Sequence, residues 1–354
     1  MSANPERQSG ATTYVGVDAG ATKTAIAVGS ADGRLAGQRV SRTMLGDPVG
    51  LADQVATAIE ELHRELGTNP ASPVGIGICG GVDGDGLVHG PIALGWQGSI
   101  DFAGLVAERS GARISIDNDV NAGAVGEHRF GAGRGVDDFV YLALGTGIGA
   151  GLFLRGGLYR GSRSLAGEVG HLSVDVDGVR CACGNRGCIE ASCSGKGVAE
   201  LLTARLRRDA TATTLREVLA ARGAITTRDL FDHAAAGDDF ALAEVERIAL
   251  HLATAIVGIV NLLDVARVVV GGGMVQNGVL LPAIQHALHT TRPYLGHRPD
   301  LVVPAGLGED AGVIGALALA VEADAPGLEH DTPEPDADAA RHDDPKITHG
   351  EPAM

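Results

Sequence analysis

The chain has 354 residues, 45% of them hydrophobic and only 3% aromatic, with a formal net charge of −16. That length suits two domains, or one domain with a large insertion, and the cores must be built from Ala, Val, Leu and Ile. The acidic balance, with no basic stripe, speaks against nucleic-acid binding, and the lack of a signal peptide or a long uncharged apolar run predicts a cytoplasmic protein with no membrane partner.

Residues 1–13 are polar and are expected to be disordered. The stretch TYVGVDAGATKTAIAVGSADGRLAGQRV then reads as strand, Gly/Thr turn, strand, Asp-Gly turn, strand. A helix over 50–66, a buried strand VGIGICG, a helix over 101–109 and a strand ARISI follow, the last running into DNDVNAG. The opening theme then returns as DFVYLALGTGIGAGLFLRGGLYRG, an internal duplication that suggests two related lobes. Beyond it the chain becomes helical. Residues 238–263 carry apolar side chains at helical spacing, the strand VARVVV follows, and a turn at Gly271, Gly272 and Gly273 opens a further helix. EDAGVIGALALAVEAD closes the fold as a small-residue helix over 311–324. Residues 325–354 are rich in Pro, Asp, Ala and His without apolar periodicity and are expected to be a disordered acidic tail. Strands alternating with helices predict an α/β protein, with an N-terminal lobe over 14–119, a C-terminal lobe over 120–310 and a ligand cleft between them.

Three stretches suggest chemistry. The turn DAGATKT holds Lys23, one of only three lysines in the chain with Lys196 and Lys346. Its backbone N–H groups and Thr22 could face phosphate oxygens, Lys23 adds charge, and Asp18 could act through Mg²⁺. It is not the G-x-x-x-x-G-K-[ST] loop. LGTGIGAG and GIGICG both meet dinucleotide signatures, but strands rather than helices follow them, which excludes that reading. The strand ending in Asp117, Asn118 and Asp119 offers carboxylates at a strand tip, where Asp119 could serve as a base or simply cap the next helix. Asp117 competes by proximity. Finally, His171, Cys181, Cys183 and Cys188 lie between Gly167 and Gly195. In a reducing compartment clustered thiols read as metal ligands before disulfides, and four N/S ligands suit a structural, tetrahedral zinc. Free thiols in a loop are the alternative, and Cys193 is near enough to blur which sulfurs bind.

These motifs, in this order from about Tyr14 to Asp324, resemble the ROK family of sugar kinases and related repressors. Gly167, Glu168, Gly170 and His171 meet the family's Gly-Glu-x-Gly-His. Cys181 to Glu190 meet Cys-x-Cys-Gly-x-x-Gly-Cys-x-Glu. DAGATKT matches Asp-x-Gly-Gly-Thr-Lys, with Ala21 in place of the second glycine. The resemblance implies a two-lobed actin-like, hexokinase-type (ribonuclease H-like) fold with a zinc-bearing loop held by His171, Cys181, Cys183 and Cys188. It implies sugar contacts from Asn118, Glu168, His171, Glu190, Gly80 and Gly81, and Asp119 as catalytic base. It also implies nucleotide contacts from Asp18, Gly20, Thr22, Lys23, Gly145, Thr146, Gly147, Gly271, Gly272 and Gly273. The expected activity is ATP- and Mg²⁺-dependent phosphorylation of the 6-hydroxyl of glucose, with N-acetylmannosamine or N-acetylglucosamine as rival substrates. A sugar-sensing repressor is the rival of a different class, disfavoured because only about a dozen residues precede the first strand. A zinc-stabilised sugar-binding protein without turnover is the third reading. Cys79 stands where family members often carry proline and Ile92 where many carry asparagine, which would remove one possible polar sugar contact; Trp96 is expected in the core. A homo-oligomer, dimer or tetramer, is expected on the resemblance alone.

Overall fold

The computed structural model describes residues 12–291, 298 and 300–325. The expectations for the first eleven residues and for the tail beyond 325 lie outside the described residues.

The chain opens with an antiparallel meander of β1 (Thr13–Ala19), β2 (Lys23–Ser30) and β3 (Leu35–Arg42). Helix α1 (Pro48–Leu66) follows with strong punctuation at both ends. Asp47 caps it by accepting from Gly50 N, Pro48 opens its first turn, and Gly67 closes it in the left-handed region. Strand β4 (Val74–Ile78) is buried throughout and pairs parallel with β1. A small sheet of β5 (Gly81–Val82), β6 (Val88–His89) and β7 (Ser99–Ile100) leads to α2 (Phe102–Ser110). Strand β8 (Ile114–Asn118) then completes a five-stranded sheet in the order β3-β2-β1-β4-β8.

Helix α3 (Asp119–Phe130) leads to the second meander, β9 (Phe139–Leu144), β10 (Ile148–Leu154) and β11 (Gly157–Tyr159). A long loop precedes the helices α4 (Ile189–Cys193), α5 (Gly195–Arg208), α6 (Leu215–Arg222), α7 (Thr227–Ala235) and α8 (Asp239–Leu263). Strands β12 (Arg267–Gly271) and β13 (Val302–Pro304) flank α9 (Leu280–Thr291), and the second sheet has the order β11-β10-β9-β12-β13. Both sheets therefore place the first strand of a meander in the middle, antiparallel to the next strand and parallel to a later one. The duplication read from the sequence is a duplication of topology.

Two sequence expectations change. The helix foreseen directly after Gly271–Gly273 starts only at Leu280, because Asn277 holds the intervening turn by accepting from Val279 N at 2.7 Å and Leu280 N at 3.3 Å. Helix α8, expected over 238–263, is by length and composition apolar enough to cross a membrane, where no long apolar run was expected. Its face of Ile248, Leu252, Ile256 and Val260 is buried in the larger core, so it packs as a core helix.

The last helix, α10 (Ala311–Asp324), returns to the first sheet and also packs on α3. A Cβ at Gly16 would overlap the carbonyl oxygen of Val313, and one at Gly75 would overlap that of Ala316. The helix thus lies directly on the backbones of β1 and β4. Its even coverage by small apolar residues fits an element buried on nearly all sides. Gly75→Ala is expected to lower stability by about 2–3 kcal/mol in urea denaturation, because neither backbone can yield without moving the sheet. Gly258→Ala, on the exposed face of α8 with nothing within 4 Å of its new methyl, should shift it by about 0.5–1 kcal/mol in the opposite direction.

Candidate active site

One cleft of about 610 Å³ gathers most of the residues singled out by motif. The β1–β2 turn contributes Asp18, Gly20, Thr22 and Lys23, together with Ala21. The turn is closed by Gly20 N donating to Lys23 O at 3.1 Å, and Thr43 Oγ1 donates to Gly20 O at 2.6 Å from the start of the next loop. The equivalent β9–β10 turn contributes Gly145, Thr146 and Gly147. It is held from behind by the start of α5, where Gly195 N donates to Gly145 O at 2.8 Å and Lys196 N to Thr146 O at 3.2 Å. Gly272 reaches the cleft in a left-handed conformation, with its backbone against Leu144 so closely that a Cβ would overlap the Leu144 carbonyl. Gly271 ends β12, buried beneath Tyr141, and Gly273 is exposed beyond the cleft; neither lines it.

Asp119 and Asn118 divide their work in a way the sequence left open. Asn118, not Asp119, is the N-cap of α3: its Oδ1 accepts from Val120 N at 2.9 Å and Asn121 N at 3.4 Å, and its Nδ2 donates to Gly80 O at 3.0 Å. Asp119 accepts from Val120 N at 2.9 Å and faces the cleft. Burial, and then the nearby charge of Asp18, push its carboxyl up to about 7. Asp18 is itself raised by burial, with Lys23 opposing the shift. Burial and both carboxylates push the Cys79 thiol up to about 12, so it enters the cleft as a neutral group. Asp117 is fully engaged elsewhere. It is buried, pairs with Arg160 at 2.6 Å, and accepts from Asn121 Nδ2 at 2.8 Å and Asn118 N at 2.7 Å. That network removes it as a rival base and braces the tip of β8.

Glu168 and Glu190 line the cleft opposite Gly80 and Gly81. Glu190 sits in the first turn of α4 and accepts from Ile148 N at 3.0 Å, which ties it to the β9–β10 turn. Glu168 is 63% exposed, with His171 Nε2 3.9 Å away. Its loop is clasped onto β10. Ala150 N donates to Gly167 O at 2.9 Å, and a Cβ at either Gly167 or Gly170 would overlap a β10 carbonyl, which explains both glycines of the Gly-Glu-x-Gly-His motif. On its other side the loop is knotted by His171, Cys181, Cys183 and Cys188, whose donor atoms all lie within 4.8 Å of one another. Cys183 Sγ is 3.7 Å from Cys188 Sγ, and Cys181 Sγ is 3.7 Å from His171 Nδ1. A tetrahedron with metal–sulfur bonds of about 2.3 Å has edges of about 3.8 Å, so this donor set fits a metal ion. Cys193 lies outside it, buried at the end of α4.

The cleft wall near Gly80 departs from expectation. Ile92 is 91% exposed and is not among the lining residues; its neighbour Ala93 lines the cleft instead. The short helical turn Ile92–Leu94 rotates the longer side chain outward, so the residue at 92 removes no contact. Trp96 is buried with its ring 5.2 Å from that of Phe102, as expected of a core residue. Ala93, Ser164, Ala166 and Arg160 were not foreseen. Small residues and a lone arginine carry no local pattern that would mark them.

The model of the ROK family matches residues 14–323. The chain belongs to the ROK family. A glucokinase of Thermotoga maritima is 33% identical over 87% of this chain and 97% of its own length. A xylose repressor of Bacillus subtilis is 27% identical over 75% of this chain and 66% of its own length. Among solved structures, a ROK glucokinase of Streptomyces griseus in complex with glucose and AMPPNP superposes with a TM-score of 0.74, at 29% identity over 88% of this chain and all of that one. The α/β fold with two mixed sheets is thus that of ROK sugar kinases, and the family contains repressors as well as enzymes.

The raised Asp119 carboxyl has a consequence for stability. Its ordinary value is 3.8, so between about pH 4 and about pH 7 the folded chain retains a proton that the unfolded chain releases. Stability therefore falls as pH rises through that window. Asp119→Asn is expected to be more stable than wild type by roughly 2–4 kcal/mol at about pH 8 and equal to it near pH 4, read from urea denaturation at both.

Proposed function

We propose that this ROK-family chain is an ATP-dependent hexose kinase that transfers the γ-phosphoryl group to the 6-hydroxyl of glucose. The observation that carries the reading is Asp119. It is a carboxylate not spent on helix capping, raised to about 7, in one cleft with two glycine-rich turns and two glutamates. A base with a value near neutrality is matched to accepting the proton of an alcohol as that oxygen attacks phosphorus. The reaction joins the sugar oxygen to the γ-phosphorus and breaks the bond to the β–γ bridging oxygen; ADP leaves, and the hydroxyl proton passes to Asp119. The protein's share is positioning and charge stabilisation.

The sugar would be held by Glu168, Glu190 and His171 from one side and by Asn118, Gly80 and Gly81 from the other. Asn118 is fixed at the cleft for such a contact, since its oxygen caps α3 and one N–H is given to Gly80. Carboxylates make charge-assisted bonds to hydroxyls and discriminate only when held still. Glu190 is held by Ile148 N. On the nucleotide side, Thr22, Lys23 and the backbones of Gly20, Gly145, Thr146 and Gly147 would meet phosphate oxygens, with the backbone of Gly272 towards the adenosine. Asp18 would bind Mg²⁺ directly or through its water shell. Mg²⁺ neutralises phosphate charge when bound. His171, Cys181, Cys183 and Cys188 would hold zinc as a structural ion. With Nδ1 of His171 turned to the thiols, its Nε2 stays on the side of Glu168.

N-acetylmannosamine and N-acetylglucosamine remain the rival substrates, and a repressor-like sugar sensor the rival class. A panel of hexoses assayed for ATP-dependent ADP release decides among them, with glucose expected to give the highest kcat/KM and no release with any sugar pointing to a sensor. Asp119→Asn is expected to lower kcat at least 10²–10⁴-fold, roughly the range for loss of a general base, while glucose affinity by calorimetry changes little. Chelator-washed protein should retain about one zinc per chain. Cys188→Ser should abolish that zinc and open the 167–195 loop to proteolysis whatever its effect on activity. Metal-free wild type with a protease-resistant loop would remove zinc from the account.

A further inference from the structure

Glu127 is fully buried on α3, eight residues after Asp119 and so about 12 Å along the helix. Its Oε2 accepts from the backbone N–H of Ala132 at 2.7 Å and of Gly306 at 2.9 Å, and its Oε1 accepts from that of Leu307 at 3.0 Å. Three amides satisfy the buried charge, and they come from two distant parts of the chain. Ala132 lies just after α3. Gly306 and Leu307 lie between β13 and α10, and lead through the turn Gly308–Asp310 into α10. Gly306 is seated against the loop after α3: a Cβ there would come within 2.9 Å of Ala132 N and 3.0 Å of Gly131 Cα.

The ends of these two helices nearer the cleft meet the reacting groups. The first residue of α3 is Asp119. In the first turn of α10, Gly312 lies so close to Asp18 that a Cβ would overlap its carboxylate. Between these points the helices cross with backbone against backbone, a Cβ at Gly126 coming within 2.8 Å of Gly315 Cα. Beside that point Ala122 and Val125 of α3 pack with Ala318 and Leu319 of α10. These apolar contacts are non-directional, and the Glu127 carboxylate, next to the crossing, adds directed bonds to them.

We propose that Glu127 is a positioning residue for phosphoryl transfer, pinning α3 to the segment that enters α10 and so holding Asp119 and Asp18 at a set separation across the cleft. The inference rests on the kinase reading. Asp18 on β1 and Cys79 after β4 face Asp119, and Lys23 on β2 faces Asp18; the charge of Asp18 is one cause of the raised Asp119 carboxyl. Any change in separation therefore displaces the acid limb of the pH–rate profile, which a loss of stability alone does not.

Three variants test the pin by steady-state kinetics with ATP and glucose between about pH 5 and about pH 9. Glu127→Gln keeps the volume but turns one acceptor into a donor facing N–H groups. Gly306→Ala keeps the carboxylate and wedges a methyl between the two segments it joins. Val245→Ala, in the core on α8 and away from α3 and α10, is the destabilised control. Glu127→Gln is expected to lower kcat roughly tenfold with both KM values within about twofold, and to displace the acid limb of kcat/KM. Gly306→Ala should do the same to a smaller extent, and Val245→Ala should leave the limb in place. Wild-type kcat and limb in Glu127→Gln and Gly306→Ala would overturn the inference, as would a limb displaced equally by Val245→Ala. Should Glu127→Gln fail to fold, Gly306→Ala decides alone. A wild-type chain that phosphorylates no hexose overturns the kinase reading and the pin with it; an active wild type with unmoved variants overturns only the pin.

Discussion

Where α10 meets β1 at Gly16 and β4 at Gly75, and meets α3 at its own Gly315, there is no room for a side chain. Carbonyl oxygens of the helix occupy the space that Cβ atoms at Gly16 and Gly75 would need, and Gly315 is equally close to the backbone of α3. Backbone packed on backbone at this distance is stiff, because no rotamer change can relieve it. Asp18 at the end of β1 and Asp119 at the start of α3 are therefore both referred to one helix. The cleft between them inherits its width from that contact and from the buried bonds of Glu127 to the loops on either side.

Charge is distributed in the cleft by the same logic of satisfied and unsatisfied groups. Asp117 accepts from a guanidinium, an amide side chain and a backbone N–H, and acts as structure. Glu190 is partly bound by Ile148 N. Asp119 and Glu168 keep free lone pairs, the first in a buried environment that raises its proton affinity and the second at an open one. Among the described residues, Lys23 is the only lysine or arginine lining the cleft. Four carboxylates facing so little positive charge suit a site that meets its substrates as a metal–nucleotide complex and a polyhydroxylated sugar.

Much of this was legible in the residues. The two meanders announced themselves by alternating apolar strands joined by Gly/Thr turns, and the metal-ligand spacing singled out His171, Cys181, Cys183 and Cys188, which the fold brings together. Local pattern was less able to assign jobs to neighbours. Asn118 and Asp119 are both good capping residues, and only the direction of β8 relative to α3 decides that Asn118 caps and Asp119 faces the cleft. Ile92 and Ala93 are adjacent, and a single helical turn determines which of them lines the cleft wall. Helix α9 starts later than its preceding glycines suggested because a side-chain turn at Asn277 intervenes.

Strand and helix periodicity, turn chemistry and ligand spacing are short-range properties, carried by side chains within a few residues of one another. The sequence by itself therefore determined the order of the elements, the repeated meander and which residue types stand in the glycine-rich turns and the Cys/His cluster. The pairing of Arg160 with Asp117, the clamp of Glu127 on Gly306 and Leu307, and the raised carboxyl of Asp119 depend on groups far apart along the chain. Only the tertiary structure decided these, because desolvation and charge proximity do not exist until the sheets and α10 have closed around them.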